Sequence, residues 1–236
     1  MDDLFDDKTN FPQSDLKLRL FGRKVFVAFV DILGFKSAME YDRINNVNHQ
    51  STIYSLWRNT VLPQKEKLYS NYDKFLNFAQ FSDCIVFYGT DPKELTNLVC
   101  DFYGWNFSWG VPIRGGLGYG QLYHSDSFSG LGATIMINGQ GLVDAHMTEQ
   151  DGKGLGMRLL VSDSFRDQTK DLDLPFQPVA DDRIEYPWWL ASGHDQNYFL
   201  SRSKDWWTTK HVGKWFNGSH REDTEKVFQA AITSVK

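Results

Sequence analysis

The sequence predicts an α+β domain: an antiparallel or mixed sheet with helices on one face and an elaborated C-terminal end. Three observations predict it. Strand-like and helix-like segments follow one another as β-α-α-β-β-α-β-α-β, which is not the regular alternation of a Rossmann sheet. Two short apolar runs flank a tight turn, the pattern of a β-hairpin. The composition is that of an ordinary folded chain, 236 residues with 41% hydrophobic and 23% charged, enough for one domain with a good core.

Residues 1–18 are polar and acidic and are expected to fray. Lys24 to Val30 is short, β-branched and aromatic, and reads as a buried strand ending at Asp31. Lys36 to Glu40 and Ser51 to Tyr69 have helical content, interrupted near Pro63. Phe75–Gln80 and Cys84–Tyr88 form the hairpin around Phe81-Ser82-Asp83. Asp91-Pro92-Lys93-Glu94 is a helix start with an Asp cap, Pro at the first position and Glu at the third, and the helix is expected to reach about Trp105. Pro112 to Tyr123 alternates around glycines and reads as a strand whose backbone is closely approached. Gly139–Glu149 reads as a helix, Arg158–Val161 as a strand, and Asp163 as the cap of a short helical turn. From Leu172 the chain is irregular and Trp-rich, with strand-like Ile184–Leu190 and Tyr198–Leu200 and a closing amphipathic helix over Glu222–Val235. The expected organisation is a domain over 19–171 with 172–236 as its elaboration. This order is compatible with a ferredoxin-like core.

Composition excludes several function classes. A net charge of −5 disfavours non-specific binding to nucleic acid or an anionic membrane. The longest clean apolar run, Val25 to Val30, is far below the roughly 20 residues of a membrane span. The acidic start MDDLFDDK lacks the apolar core of a signal peptide. Cys84 and Cys100 make no disulfide framework. A cytoplasmic protein is the expectation.

The sharpest chemical feature is a pair of carboxylates. Asp31 ends a buried strand, and Asp83 lies at the tip of a hairpin that can pair beside it. Two such groups repel, and a divalent cation removes the repulsion. On spacing alone the alternative stands level: Asp31 caps a helix and Asp83 is a turn residue. Other motifs carry less. Gly115–Gly120 does not match the dinucleotide fingerprint, and no Walker loop, HExxH or GxSxG occurs. The histidines lack metal-ligand spacing, and Cys84 is expected to pack as a small apolar residue. Trp206, Trp207 and Trp215, with Lys210 and Lys214, read as an interface or a cap over the site rather than a nucleic-acid platform.

These residues carry a resemblance. Val27-Ala-Phe-Val-Asp31-Ile-Leu-Gly-Phe35 resembles the first metal motif of class III nucleotidyl cyclases. Phe81-Ser-Asp83 followed by Cys84-Ile-Val86 resembles their second metal hairpin, with Ser82 where glycine is usual. Arg114-Gly-Gly-Leu-Gly-Tyr-Gly120 is similar to their R-x-G strand, and Gly139, Ala145 and Glu149 to the helix that follows. The likeness covers residues 24 to 165 in the family's order.

The resemblance implies a palm-like cyclase domain. Asp31 and Asp83, with the Ile32 carbonyl, would hold two divalent cations, Mn2+ or Mg2+. Backbone N–H groups of Leu33, Gly34, Phe35 and Lys36 would hold a triphosphate, and a head-to-tail homodimer would place the sites at its interface. Purine cyclases read the base with polar residues at the positions of Ala79 and Met136. Neither can reject a wrong base by polar contact, and Met136 shrinks the pocket. The pattern looks like the pyrimidine cyclases of bacterial anti-phage (Pycsar) systems, with UTP as preferred substrate and CTP or a purine as alternatives. The helix Asn and Arg of the family fall at Val143 and Met147, so Arg114, Lys153 or Arg158 would have to substitute. Otherwise the chain is a cyclase-like module that binds nucleotide or protein without turnover.

Overall fold

The computed structural model describes residues 23–45, 76–129, 132–179, 182–191, 195–206 and 219–234. The central strand β1 (Arg23–Ile32) alternates between two apolar environments. Phe26, Ala28 and Val30 face one buried cluster, and Val25 and Val27 face another. That period of two makes a strand covered on both sides. β1 leads into helix α1 (Phe35–Asn45). A hairpin follows, β2 (Leu76–Phe81) and β3 (Cys84–Gly89), with register Phe81↔Cys84 around the two-residue turn Ser82-Asp83.

Helix α2 (Pro92–Trp109) starts and stops on local chemistry. The Asp91 carboxylate accepts from the N–H groups of Lys93 (2.9 Å) and Glu94 (3.2 Å), Pro92 takes the first turn, and left-handed Gly110 ends it. Next come β4 (Ile113–Ser129), β5 (Gly132–Asn138), α3 (Gln140–Asp151), β6 (Leu159–Val161), α4 (Asp163–Thr169), β7 (Gln177–Pro178), β8 (Ile184–Glu185), α5 (Trp188–Ala191), α6 (Gln196–Trp206) and α7 (Ser219–Ser234). The eight-stranded sheet runs β2-β3-β1-β4-β6-β8-β7, with β5 paired to β4. All pairs are antiparallel except β4 with β6.

The α+β class holds, but the helices, expected on one face, divide between two. α2 packs against Ala28 and Phe87, whereas α3 lies on the opposite face beside Val27. The glycine stripe of β4 makes the second packing possible. A Cβ on Gly116 would stand 2.2 Å from the Ala145 carbonyl oxygen, and one on Gly118 2.6 Å from the Ala145 nitrogen. The helix backbone therefore rests directly on the strand.

Four further expectations change. β4 continues to Ser129 and pairs with β5, a strand not anticipated; the Ser- and Asp-rich end of β4 has poor strand propensity, and pairing with the Thr134-Ile-Met-Ile137 run of β5 supplies the order. The strand expected over Ile184–Leu190 stops at Glu185, and Pro187 opens the turn of α5. Tyr198–Leu200 is helical, because the Asp195 carboxylate accepts from the Tyr198 N–H (2.8 Å) and caps α6. The cap of α4 is Ser162, whose hydroxyl accepts from the Phe165 N–H, rather than Asp163.

Trp206, expected as an interface or cap residue, is core. It is buried against Phe107 and Phe228, and its indole N–H donates to the Phe107 carbonyl (2.7 Å). Trp188, Trp189, Phe199 and Phe228 join the same cluster on the α2 face. Buried indoles need such partners, and the Trp188 N–H finds the Met157 carbonyl (3.0 Å). The expected N-terminal segment 1–18, the helix over Ser51–Tyr69, and Trp207, Lys210, Lys214 and Trp215 lie outside the described residues.

Candidate functional site

The site forms where β1 ends. Asp31 stands opposite Cys84 of β3 on one side and Arg114 of β4 on the other. The Ile32 N–H donates to the Asp83 carbonyl (3.1 Å), tying the hairpin tip to the strand end. Ser82 takes φ 48° in that tip, a left-handed conformation in the position where the resembling family has glycine. Arg114 reaches Asp31 Oδ2 through an Nη at 3.8 Å, while its Nε bonds Oε1 of Glu149 from α3. Glu149 is fully buried, and its Oε2 accepts from the Gln150 amide (2.5 Å).

The electrostatics follow from this packing. Burial, followed by the neighbouring Glu149 and Asp83 carboxylates, raises Asp31 to about 7, against the opposing pull of Arg114 and the Ile32 backbone. Cys84 is pushed up to about 12 by burial first and then by Asp31, Asp83 and Glu149. It stays a neutral thiol near neutral pH and is no nucleophile. Its Sγ–H donates to the Phe81 carbonyl at 3.2 Å.

A divalent cation fits this donor set. Asp31, Asp83 and Glu149 against Arg114 leave two negative charges when all four are ionised. The open donors are hard carboxylate oxygens, which suit Mg2+ or Mn2+. Among the described residues no group of three or more His, Cys, Asp or Glu side chains is arranged to hold a metal alone. Mg2+ rarely uses such a cage; it is held by one or two carboxylates, with water and phosphate completing the shell.

The other expected site residues divide. The Leu33 N–H donates to the Pro112 carbonyl (2.9 Å), which leaves Gly34, Phe35 and Lys36 of the turn expected to receive phosphate. Gly34 (φ 73°), Phe35 and Lys36 open α1, and Gly34 accepts the Ala38 N–H (3.0 Å). The backbone N–H groups of that first turn have no partners within the helix. Ala79 is buried opposite Val86. Met136 is 56% exposed on β5, opposite Ser125. Roughly 35 Å of extended strand separates position 125 from position 114, so one copy does not bring Met136 to the aspartates.

Of the cations considered as substitutes, Arg114 is held by Glu149, and Arg158 pairs with Glu185 of β8 (2.6 Å), while Lys153 is exposed beyond α3. Val143 and Met147 point outward from α3, 54% and 56% exposed. Sequence reasoning missed the linkage of Glu149 through Arg114 to Asp31. The signal for it was a glutamate four residues after Ala145 and eight after Gly141, on the helix face that these small residues mark for close packing, since a buried charge needs a partner.

No family model matches the chain, and no curated protein matches it. Solved structures do. A bacterial light-regulated adenylyl cyclase aligns at 14% identity and TM-score 0.49, covering 96% of this chain and 60% of that one. The adenylyl cyclase CyaB from P. aeruginosa aligns at 16% and 0.41, covering 69% and 91%. The guanylyl cyclase domain of the RhoGC fusion protein from the aquatic fungus Blastocladiella emersonii aligns at 14% and 0.44, covering 69% and 93%. At such identities the chemistry rests on the residues of the site itself. Among the described residues, no helix is long and apolar enough to cross a membrane.

Proposed function

We propose that this chain is a metal-dependent nucleotide cyclase of the class III type that converts UTP to 3′,5′-cyclic UMP and pyrophosphate, a second-messenger synthase of bacterial anti-phage defence. The observation that carries the reading is the convergence of Asp31 and Asp83 at the end of the central strand, beside the first turn of α1. A carboxylate pair next to a helix start, with the nearby Arg114 guanidinium held by Glu149, is what a metal–triphosphate group requires.

Asp31 and Asp83, with the Ile32 carbonyl, would hold the cations. Bound there, Mg2+ or Mn2+ supplies a lowered hydroxyl pKa and neutralises the leaving group. The N–H groups of Gly34, Phe35 and Lys36 receive the phosphate tail. The ribose 3′-oxygen attacks the α-phosphorus in line. The α-phosphorus–bridging-oxygen bond breaks, pyrophosphate leaves with that oxygen, and the hydroxyl proton passes to solvent. Ala79 and Met136 offer the base no polar group to select a purine, and the bulk of Met136 favours the smaller pyrimidine ring. The distance of Met136 from the aspartates calls for two head-to-tail copies, one presenting the acids and the other the base-facing strand. Val143 and Met147 would then lie in the interface.

One observation favours a second reading, a nucleotide-binding module without turnover. Val143 and Met147 are apolar where transition-state donors would stand, and Arg114 and Arg158 are held in ion pairs. Incubating the protein with each labelled nucleoside triphosphate, in Mn2+ and in Mg2+, separates the two. A cyclic pyrimidine product that disappears in Asp83→Asn supports the proposal. A cyclic purine product refutes the substrate assignment, and binding without product refutes the enzyme.

A further inference from the structure

We infer that Glu149 and Arg114 are positioning residues that act through Asp31: the helix carboxylate fixes the guanidinium, and the guanidinium holds the Asp31 carboxylate in the orientation that receives a cation. The inference rests on the metal reading above and assigns the orienting task to two residues that would touch neither metal nor nucleotide.

The geometry is a close ion pair, Glu149 with Arg114, that leads to a longer one, Arg114 with Asp31. Glu149 is buried with both oxygens engaged, Oε1 by Arg114 Nε and Oε2 by the Gln150 amide. Its helix cannot slide, because α3 rests on the Gly116–Gly118 stripe at backbone distance. Arg114 is therefore clamped at Nε, and an Nη is left facing Asp31 Oδ2 at 3.8 Å. Arg114 is itself the cross-strand partner of Asp31, so side chain and backbone place the same two residues together. A planar guanidinium clamped through one edge presents its other edge in a fixed direction. The same clamp keeps Arg114 from serving as a phosphate-seeking arginine, because reaching outward would strand a buried carboxylate. Groups that orient a ligating carboxylate in this way typically change metal affinity 10–100-fold when removed.

The decisive variant removes both partners, Arg114→Met with Glu149→Met. One positive and one negative charge leave together, so the net charge near Asp31 is unchanged. Apolar replacement of a buried ion pair usually preserves stability. A merely structural pair thus predicts a folded protein with unaltered Mn2+ affinity. The positioning role predicts a folded protein, by urea titration and circular dichroism, whose Mn2+ dissociation constant rises tenfold or more, read by electron paramagnetic resonance of free Mn2+. Arg114→Lys is the second variant: it keeps the charge, loses the fork, and is expected to weaken Mn2+ several-fold. A dissociation constant within twofold of the parent in a folded double variant, or in Arg114→Lys if the double variant does not fold, overturns the inference. Failure of the parent protein to bind Mn2+ overturns the metal reading instead, and the orienting role falls with it.

Discussion

Replacing Asp31 by Asn should stabilise the metal-free protein, and the gain should grow with pH. In the native state burial and two carboxylates hold the Asp31 proton up to about pH 7, whereas an unfolded chain releases it near 3.9. Between those values the native state binds one more proton than the unfolded state. Its stability therefore falls as pH rises from about 4 to 7 and levels off above. Three pKa units correspond to an upper limit of about 4 kcal/mol at pH 8.5, against about 1.5 kcal/mol at pH 5. Asp31 keeps 23% of its side chain in solvent and loses a weak Arg114 contact when neutralised, which brings the expected growth between the two pH values to about 1–2 kcal/mol.

The assay is urea unfolding of the parent and Asp31→Asn proteins in EDTA at pH 5 and pH 8.5. The midpoint difference should favour the variant at both and widen at the higher pH. Saturating Mn2+ should then stabilise the parent and leave the variant unmoved, since only a native-state ligand shifts the equilibrium. An equal difference at both pH values, or a variant that is less stable at pH 8.5, would refute the reasoning, because the carboxylate would then not be held against repulsion and burial.

Three further outcomes follow from the packing. Gly116→Ala puts a Cβ 2.2 Å from the Ala145 carbonyl oxygen and should cost about 1–3 kcal/mol, seen as a drop of several degrees in the thermal midpoint. Trp206→Phe keeps most of the ring packing but removes the indole bond to the Phe107 carbonyl, which retains the Gly110 N–H (3.1 Å); a loss of about 0.5–1.5 kcal/mol in chemical denaturation is expected. Cys84 should alkylate slowly with iodoacetamide at pH 9, because its thiol titrates near 12. Asp31→Asn removes one of the charges responsible and should quicken the reaction, as followed by mass spectrometry.

The parts of the fold legible in the sequence are those where local chemistry and tertiary need agree. β1 announces itself because both its faces are apolar, and the start of α2 because Asp91 and Pro92 mark it; the end expected near Trp105 falls four residues short of Trp109, where left-handed Gly110 stops the helix. The hairpin is legible because Ser82-Asp83 is short enough to force the pairing. Where the two disagree, pattern misleads. Tyr198-Phe199-Leu200 is as apolar as a strand, yet Asp195 immediately before α6 decides for helix. The serines at the end of β4 lie in a strand because ladder bonds to β5 offset their entropy, a fact of register and not of composition.

The same distinction runs through the site. Asp31 and Asp83 are visible in the sequence because one terminates a strand and the other occupies a turn, both positions defined by their neighbours along the chain. The link to Glu149 is not visible in that way. It needs Arg114 to fall opposite Asp31 in the β1–β4 ladder and α3 to approach β4 closely enough for a carboxylate to reach the guanidinium. The glycines that permit that approach are readable as a closely approached backbone, but what approaches is not, because the partner lies on a separate helix. Shifting β4 by a single residue would turn Arg114 to the α2 face and leave Glu149 a buried, unpaired charge. The ion pair therefore sets the register of the sheet at the point where the aspartates meet. On that ground a loss of cation affinity in a variant of this pair that stays folded would report on orientation, and not on a collapsed strand.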